Sequence, residues 1–219
     1  MTARGVPRPG GLELTVRMLS ARRLPRGARL MDVGCGEGAT VERLLELGFD
    51  AVGVDIEPEP RARGSLPIEP GSAYALPCGD SELDGVLCEC VFSLLDRPEA
   101  ALAEFNRALK PGGVLFMSDV YSLAGGGRAE GASKHIRTEA NIRRLLRLGG
   151  FKVEFFEDHS GALKAMFAQM IMDMGSEELY RILGADREYM KSLKCGYFLL
   201  AARLEKTSRG RNVADAVPG

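Results

Sequence analysis

The stretch Leu30-Met31-Asp32-Val33-Gly34-Cys35-Gly36-Glu37-Gly38-Ala39-Thr40 joins a short apolar run to three glycines at alternate positions. This pattern predicts a β-strand, a tight turn and the start of a helix. Glycine has no Cβ, so it adopts positive φ angles easily and lets a ligand approach the backbone closely. The unpaired N–H groups of the first helical turn would then face that ligand. We therefore expect a small-molecule site at this turn.

The glycines alone do not fix the ligand, because Gly34-x-Gly36-x-x-Ala39 also satisfies the looser dinucleotide-binding fingerprint. Asp32 separates the two alternatives. A pyrophosphate gains nothing from a carboxylate just before the first glycine, whereas a cationic amino-acid ligand is attracted to one. The turn thus favours a ligand with ammonium and sulfonium charges, which S-adenosylmethionine carries.

Composition limits the classes of protein to which the chain can belong. Its 219 residues, of which 45% are hydrophobic, suit one soluble domain. The net charge of -1 gives no global attraction to nucleic acid or an anionic membrane, and local basic clusters are interpreted as solvated helix faces, with an anionic substrate or RNA as the alternative. Five cysteines without paired spacing indicate a reducing cytoplasm. We expect neither a membrane span nor a nucleic-acid partner.

Apolar periodicity predicts alternating strands and helices along the chain. The resulting fold class is α/β, a doubly wound and mostly parallel seven-stranded sheet with helices on both faces and ligands at the carboxyl ends of its strands. We predict one domain over residues 1–204, with a helical insertion at about 161–192 between the last two strands, and a disordered tail over 205–219. The predicted strands cover residues 28–33, 49–54, 67–72, 84–90, 114–120, 151–156 and 197–204.

Further motifs point to one cofactor. Asp55 ends the second predicted strand, where a carboxylate can accept hydrogen bonds from both ribose hydroxyls, as in a dinucleotide enzyme. The later stretches 71–77, 83–86 and Leu109-Lys110-Pro111-Gly112-Gly113 match no dinucleotide pattern. With these motifs in this order from about residue 25 to 120, the chain resembles the class I S-adenosylmethionine-dependent methyltransferases of the small-molecule type.

The resemblance implies a role for each matching residue. Asp55 would hold the ribose, Ile56 would pack on the adenine, and Ala73 would offer its backbone N–H to the ring. Many members have Asp where this chain has Ser72, so adenine binding would rely on a weaker hydrogen bond that the Ser72 hydroxyl accepts from the adenine amino group, or on Tyr74. The whole implied cofactor-binding set is Asp32, Gly34, Cys35, Gly36, Gly38, Asp55, Ile56, Ser72, Ala73, Tyr74 and Glu89.

The acceptor side carries no comparable motif. Methyl transfer from a sulfonium is an in-line displacement by an acceptor that the protein aligns and shields from water. Where the acceptor must lose a proton, His135 and His159 are the catalytic candidates that titrate near neutral pH. His135 follows a glycine-rich loop, and His159 follows the sixth predicted strand. A surface or capping histidine is the alternative for both.

Cys90 is the third catalytic candidate, because the family places Glu89 and Cys90 beside the methyl group. Strand alternation predicts that Cys88 and Cys90 project from one face with their sulfurs about 7 Å apart. Two such thiolates could hold a soft element, and arsenite methyltransferases have a cysteine at the position that Cys90 matches. Small apolar core residues are the alternative, and we predict no metal site.

The insertion contains apolar residues at helical spacing, namely Leu163, Met166, Phe167, Met170, Ile171 and Met174. This stripe is interpreted as core or as a homodimer contact, with a substrate lid as the alternative. We expect a cytoplasmic enzyme that methylates a small molecule. The alternatives are a catalytically silent binding or regulatory subunit of the same fold, and a metalloid or nucleic-acid methyltransferase.

Overall fold

The computed structural model describes residues 8–58, 65–124, 135–183, 188, 192 and 194–205. Seven strands form one sheet in the order β3-β2-β1-β4-β5-β7-β6. Strand β7 is antiparallel to both of its neighbours, and every other neighbouring pair is parallel. The predicted fold class is confirmed. The strands are β1 (Arg29–Val33), β2 (Asp50–Asp55), β3 (Ile68–Pro70), β4 (Leu83–Glu89), β5 (Leu109–Ser122), β6 (Phe151–Asp158) and β7 (Cys195–Leu204).

Helices cover both faces of this sheet. Consecutive strand residues alternate between two apolar clusters, so that Val86 and Cys88 belong to one and Leu87 to the other. The first cluster includes side chains from α3 and α4, and the second includes side chains from α1, α2 and α5. The described helices are α1 (Gly11–Ser20), α2 (Ala39–Glu46), α3 (Pro98–Ala108), α4 (Glu139–Leu148), α5 (Ser160–Met174) and α6 (Ser176–Leu183), with one 3₁₀ turn at Phe92–Leu94.

Strand β5 begins earlier than the sequence predicts. The Lys110-Pro111-Gly112-Gly113 turn ends α3 at Ala108, as expected, but the chain pairs with β4 on both sides of that turn. Leu83 pairs with Leu109 and Gly85 pairs with Val114, so the turn bulges out of a strand that continues. A positive φ of 83° at Gly112 allows the bulge.

The predicted insertion consists of α5 and α6 as far as residue 183, separated by Gly175 at a φ of 85°. Beyond Glu205 the predicted tail lies outside the described residues, as does the glycine-rich loop at 125–134, so the domain boundaries stay predictions. Among the residues described, no helix combines the length and apolarity needed to cross a membrane.

Candidate cofactor and active site

The glycine turn after β1 is packed tightly at two positions and open at the third. All three glycines have positive φ, at 78° for Gly34, 52° for Gly36 and 85° for Gly38. A Cβ at Gly34 would lie 2.3 Å from Val91 Cγ2, and one at Gly38 would lie 2.6 Å from Ile68 Cδ1. A Cβ at Gly36 would meet nothing within 4 Å. The turn therefore needs glycine for packing at its ends, and it leaves open space at its centre.

Asp55 fixes the shape of this turn. One of its carboxylate oxygens accepts a hydrogen bond of 2.9 Å from the backbone N–H of Gly36, and the other accepts one of 2.9 Å from Glu57. The sequence predicts that Asp55 binds the ribose, but it does not predict that Asp55 also holds the backbone of the turn in place. The next side chain, Ile56, is 79% exposed. An exposed apolar side chain beside a half-buried carboxylate suits a nucleoside, whose base is apolar on its faces and whose sugar donates hydrogen bonds.

Asp32 is a buried carboxylate whose charge is poorly compensated. It lies at the carboxyl end of β1, and the described residues donate no hydrogen bond to its side chain. Burial, the largest cause, and the negative charges of Glu89 and Asp55 together raise the pKa of Asp32 to about 8, and the positive charge of Arg8 opposes the shift. A buried acid with these properties fits a cationic ligand, because an added positive charge would offset the cost of ionising it.

Glu89, by contrast, has several partners. Its carboxylate accepts hydrogen bonds from Arg8 Nη1 at 2.7 Å, Thr15 Oγ1 at 2.9 Å, Thr40 Oγ1 at 3.0 Å and Ser118 Oγ at 3.4 Å. These contacts join the end of β4 to α1, α2 and β5. The predicted contact of Glu89 with the cofactor stays a prediction.

Arg8 is a site residue that the sequence did not reveal. It precedes α1 and lies outside the motifs, and its Nη1 also donates to Thr40 Oγ1 at 2.7 Å. Its Nη2 is buried and has no hydrogen-bond partner among the described residues. Since Arg8 influences the pKa of Asp32, the guanidinium and that carboxylate lie within electrostatic reach of each other.

Cys35 contributes its backbone to the turn while its side chain packs into the core. Its N–H and that of Gly34 both donate to the carbonyl of Val54 in β2, at 3.2 and 2.7 Å. The sulfur packs against Gly53, and burial raises the pKa of the thiol to about 12. Cys35 is therefore an uncharged core residue rather than a reactive thiol.

The predicted adenine segment is held by local contacts. Ser72 Oγ accepts a hydrogen bond of 3.2 Å from the backbone N–H of Tyr74, and Ala73 is buried between them. The guanidinium of Arg97 lies 4.7 Å from the centroid of the Tyr74 ring, and its backbone N–H donates to the Tyr74 hydroxyl at 3.3 Å. Tyr74 thus already has a stacking partner, and the adenine contacts remain predictions.

The prediction that Cys88 and Cys90 project from one face is wrong. Strand β4 ends at Glu89, and Cys90 adopts a left-handed φ of 59°, which breaks the alternation of the strand. Cys88 is fully buried in the first cluster, whereas Cys90 packs against the second. Burial raises the pKa of Cys88 well above its usual value. Across the described ranges, no three His, Cys, Asp or Glu side chains come together as a metal site requires.

Cys90 is half-buried at the carboxyl edge of the sheet. Its sulfur lies 3.3 Å from the hydroxyl of Tyr197, which in turn donates to Ser118 Oγ at 2.9 Å. Burial raises the pKa of Tyr197 well above its usual value, so this hydroxyl stays protonated. The left-handed Cys90 is therefore held in place beside the predicted methyl position.

The two histidines have carboxylate partners in different parts of the fold. His135 Nε2 lies 2.9 Å from Asp96, and its backbone N–H donates to Ser93 in the 3₁₀ turn after β4. His159 Nε2 lies 3.1 Å from Glu157 on β6, directly before α5. The structure does not pair them, and His135 is the one connected to the turn that follows Cys90.

The chain is similar to known methyltransferases over part of its length. A sequence family described as methyltransferase domain matches residues 31–117. A demethylmenaquinone methyltransferase from Renibacterium salmoninarum is 33% identical over 98 residues, 42% of this chain and 41% of that protein. The chain thus spans about two fifths of the length of this curated relative.

Two solved structures have a similar fold. The [4+2]-cyclase SpnF superposes with a TM-score of 0.68 at 25% identity, covering 89% of this chain and 81% of that one. A phosphoethanolamine N-methyltransferase 2 from Haemonchus contortus, solved with S-adenosyl-L-methionine, superposes with a TM-score of 0.72 at 16% identity. That match covers 91% of this chain and 54% of the other.

Proposed function

Since the chain carries a class I S-adenosylmethionine-dependent methyltransferase domain, we propose that it transfers a methyl group from S-adenosylmethionine to a small-molecule acceptor. The observation that carries this proposal is the pairing of the open space at Gly36 with the buried, poorly compensated carboxylate of Asp32. A ligand with a positively charged amino-acid end could occupy the space at Gly36 and balance the charge of Asp32.

The residues of the chain bind and orient rather than react. S-adenosylmethionine supplies an activated methyl group on a sulfonium, so the protein has little covalent chemistry to perform. Asp32 would balance the ammonium charge, the turn would leave room for the ligand, and Asp55 and Ile56 would hold the ribose and the base. The Asp55 hydrogen bond to Gly36 couples the ribose contact to the shape of the turn.

His135 is the general base that the structure supports best where the acceptor must lose a proton. Asp96, 2.9 Å away, would orient its imidazole and stabilise the protonated ring. His135 is also tied to the 3₁₀ turn that follows Cys90, at the carboxyl edge where acceptors bind in this class of sheet. Demethylated quinones are reasonable first acceptors to test, since the relative from Renibacterium salmoninarum is named for demethylmenaquinone.

Calorimetry with S-adenosylmethionine and S-adenosylhomocysteine tests the cofactor assignment. We expect binding by the wild type and a loss of about tenfold or more in Asp55→Ala, because both the ribose contact and the shape of the turn are removed. Asp50→Ala, an exposed acid at the start of the same strand, is the matched control. Absence of binding by the wild type would overturn the proposal.

Incubation with methyl-labelled cofactor and a fractionated cell extract then identifies the acceptor class. We expect label in a small-molecule fraction. Label confined to RNA or protein would contradict the proposed acceptor class and leave the cofactor assignment standing.

A second candidate is a protein of this fold that binds the cofactor without transferring its methyl group. The specific observation is the similarity to a [4+2]-cyclase over 89% of the chain, since a solved neighbour of this fold is named for another reaction. Cofactor binding without turnover against any extract fraction, together with a stable partner, would favour this candidate.

A further inference from the structure

We propose that Arg137 is a positioning residue for His135, because it fastens the segment that carries His135 to the turn that carries Asp96. This inference rests on the proposed function, in which His135 takes a proton from the acceptor. It adds a residue that lies outside the glycine turn and outside residues 31–117, which the family matches.

The first observation is the number of carbonyl groups that one guanidinium joins. Nη1 of Arg137 donates to the backbone carbonyl groups of Phe92 and His135, both at 3.1 Å. Nη2 donates to the carbonyl of Leu95 at 3.2 Å. Asp96 follows directly after Leu95 in the chain. The planar guanidinium therefore links the turn after β4 to the distant segment that carries His135.

The second observation is that His135 contacts this turn through both its backbone and its ring. Its N–H donates to the carbonyl of Ser93 in the 3₁₀ turn, and its Nε2 lies 2.9 Å from a carboxylate oxygen of Asp96. The backbone contact and the ring contact join the same two segments that Arg137 links. The distance between the ring and Asp96 therefore depends on how firmly these segments are held together.

The third observation is that both segments are anchored to β5. Ser93 donates its N–H and its hydroxyl to the buried carboxylate of Asp119, at 2.7 and 2.9 Å. The carbonyl of Arg137 accepts a hydrogen bond of 2.9 Å from the N–H of Ser122. Asp119 and Ser122 lie near the carboxyl end of β5, so one strand positions both the turn and Arg137. Such preorganisation keeps a proton acceptor in the geometry that the reaction requires.

The two histidines of the chain allow a direct test, because they have similar surroundings. The side chains of His135 and His159 are 26% and 25% exposed, and their carboxylate partners are Asp96 and Glu157. The probe is diethyl pyrocarbonate, which acylates a neutral imidazole and reacts more slowly where a carboxylate holds the ring in its protonated form. Mass spectrometry gives the rate at His135 relative to that at His159 in one sample. A general loss of stability would raise both rates, so their ratio reports on the position of His135.

In Arg137→Gln we expect this ratio to rise about 3- to 10-fold, the effect of losing one hydrogen bond at the His135 ring. Arg137→Lys keeps the charge but cannot reach three carbonyl groups, so it should fold and show most of the rise. Should Arg137→Gln not fold, Arg137→Lys decides the question. Arg143→Gln is the matched control, because Arg143 lies 4.9 Å from the ring centroid of Phe156, much as Arg137 lies 5.1 Å from that of Phe92. It should leave the ratio unchanged.

Asp96→Asn separates positioning from a merely structural contact. The Asp96 side chain is 74% exposed, so this substitution should cost little stability. We expect Asp96→Asn to raise the ratio as far as Arg137→Gln does, and the double variant to raise it no further, because both changes act on one pair.

Methyl transfer connects the position of His135 to the reaction. With labelled cofactor and the extract fraction that accepts the label, Arg137→Gln should lose about tenfold or more in turnover. Its affinity for S-adenosylhomocysteine, measured by calorimetry, should stay unchanged.

The outcomes distinguish the two proposals. A ratio that stays unchanged in the Arg137 variants, or that rises further in the double variant, overturns the positioning role. A raised ratio with undiminished methyl transfer overturns it as well, because the position of His135 would then have no part in the reaction. These results leave the methyltransferase assignment standing. Failure of the wild type to bind S-adenosylmethionine, or to transfer label to any fraction, overturns the proposed function instead.

Discussion

Ionisation of Asp32 would favour the proposed binding of a cationic ligand, but it lowers the stability of the folded protein because this side chain is buried. The folded state holds a proton on this buried acid up to a pKa of about 8, whereas the unfolded chain releases it near the ordinary value of 3.8. Between these two values the folded protein binds more protons. The free energy of unfolding contributed by Asp32 therefore falls as the pH rises through this window.

Asp32→Asn should remove this dependence. We expect wild type to lose about 1–2 kcal/mol relative to the variant between pH 6 and pH 8, and the variant to lose cofactor affinity. Chemical unfolding of both proteins at the two pH values measures the difference, in which other titrating groups cancel. Equal pH slopes in the two proteins would contradict the prediction.

Gly36 and Gly112 form a matched pair for testing the open space in the turn. Both have positive φ, and an added Cβ meets nothing within 4 Å at either position. Alanine should therefore cost about 1–2 kcal/mol of stability in each case, for the same backbone reason. Only Gly36→Ala should weaken binding of S-adenosylhomocysteine, measured by calorimetry. Equal affinities in the two variants would show that the ligand does not occupy the space beside Gly36.

Single residues also mark the limit of sequence reasoning. Asp32 and the glycines could be assigned to the site because their residue types and spacing have a local physical meaning. Arg8 could not, because its importance depends on contacts with Thr40 and Glu89, which are distant in the chain. The predicted face of Cys90 was wrong, because strand alternation reveals neither that β4 ends at Glu89 nor that the φ of Cys90 is positive.

At the scale of elements, helix α4 offers a variant that should affect stability alone. Thr138 caps this helix by accepting a hydrogen bond of 3.3 Å from the backbone N–H of Asn141. The helix packs in the first cluster, whereas Asp32 and Glu89 lie on the other face with α1 and α2.

Thr138→Ala should lower the free energy of unfolding by about 1 kcal/mol and leave cofactor affinity unchanged. Thermal unfolding and calorimetry on the same samples check both parts. A change in affinity as large as that in Gly36→Ala would show that the two faces are coupled.

The order of strands and helices could be predicted because each strand has a local sequence pattern. Strands in a parallel sheet are buried on both sides and stand out as short apolar runs between glycine- and proline-rich turns. The ends of the strands were less predictable. Strand β5 continues through Lys110-Pro111-Gly112-Gly113 because its pairing with β4 resumes beyond the bulge. A turn motif in the sequence shows that the backbone leaves the regular strand conformation. Whether the strand resumes its hydrogen bonding beyond the turn depends on the neighbouring strand.

At the scale of the whole molecule, we propose that the exposed end of α5 forms the predicted homodimer contact. Met172 is 81% exposed, and Ile171 and Met174 are each about two fifths exposed, whereas Leu163 and Met170 of the same helix are buried. The predicted stripe is therefore divided: one part joins the core and the other forms an apolar surface.

Light scattering tests this contact. We expect a mass of twice 23.7 kDa for the wild type and of one chain for Met172→Glu, because a buried carboxylate would oppose association. Glu177→Gln, on the neighbouring helix α6, is a surface control that should leave the mass unchanged. A wild type that is monomeric at all concentrations would remove the homodimer proposal.

The position of β7 has a consequence for the order in which the protein can form during synthesis. This strand is the last of the seven in the chain, yet it lies between β5 and β6. Strands β1 to β5 and the glycine turn can pair as soon as they leave the ribosome. Strand β6 must wait, without a neighbour, until residues 195–204 emerge. The cofactor half of the sheet can therefore assemble first, and its far edge closes only after residues 195–204 have been synthesised.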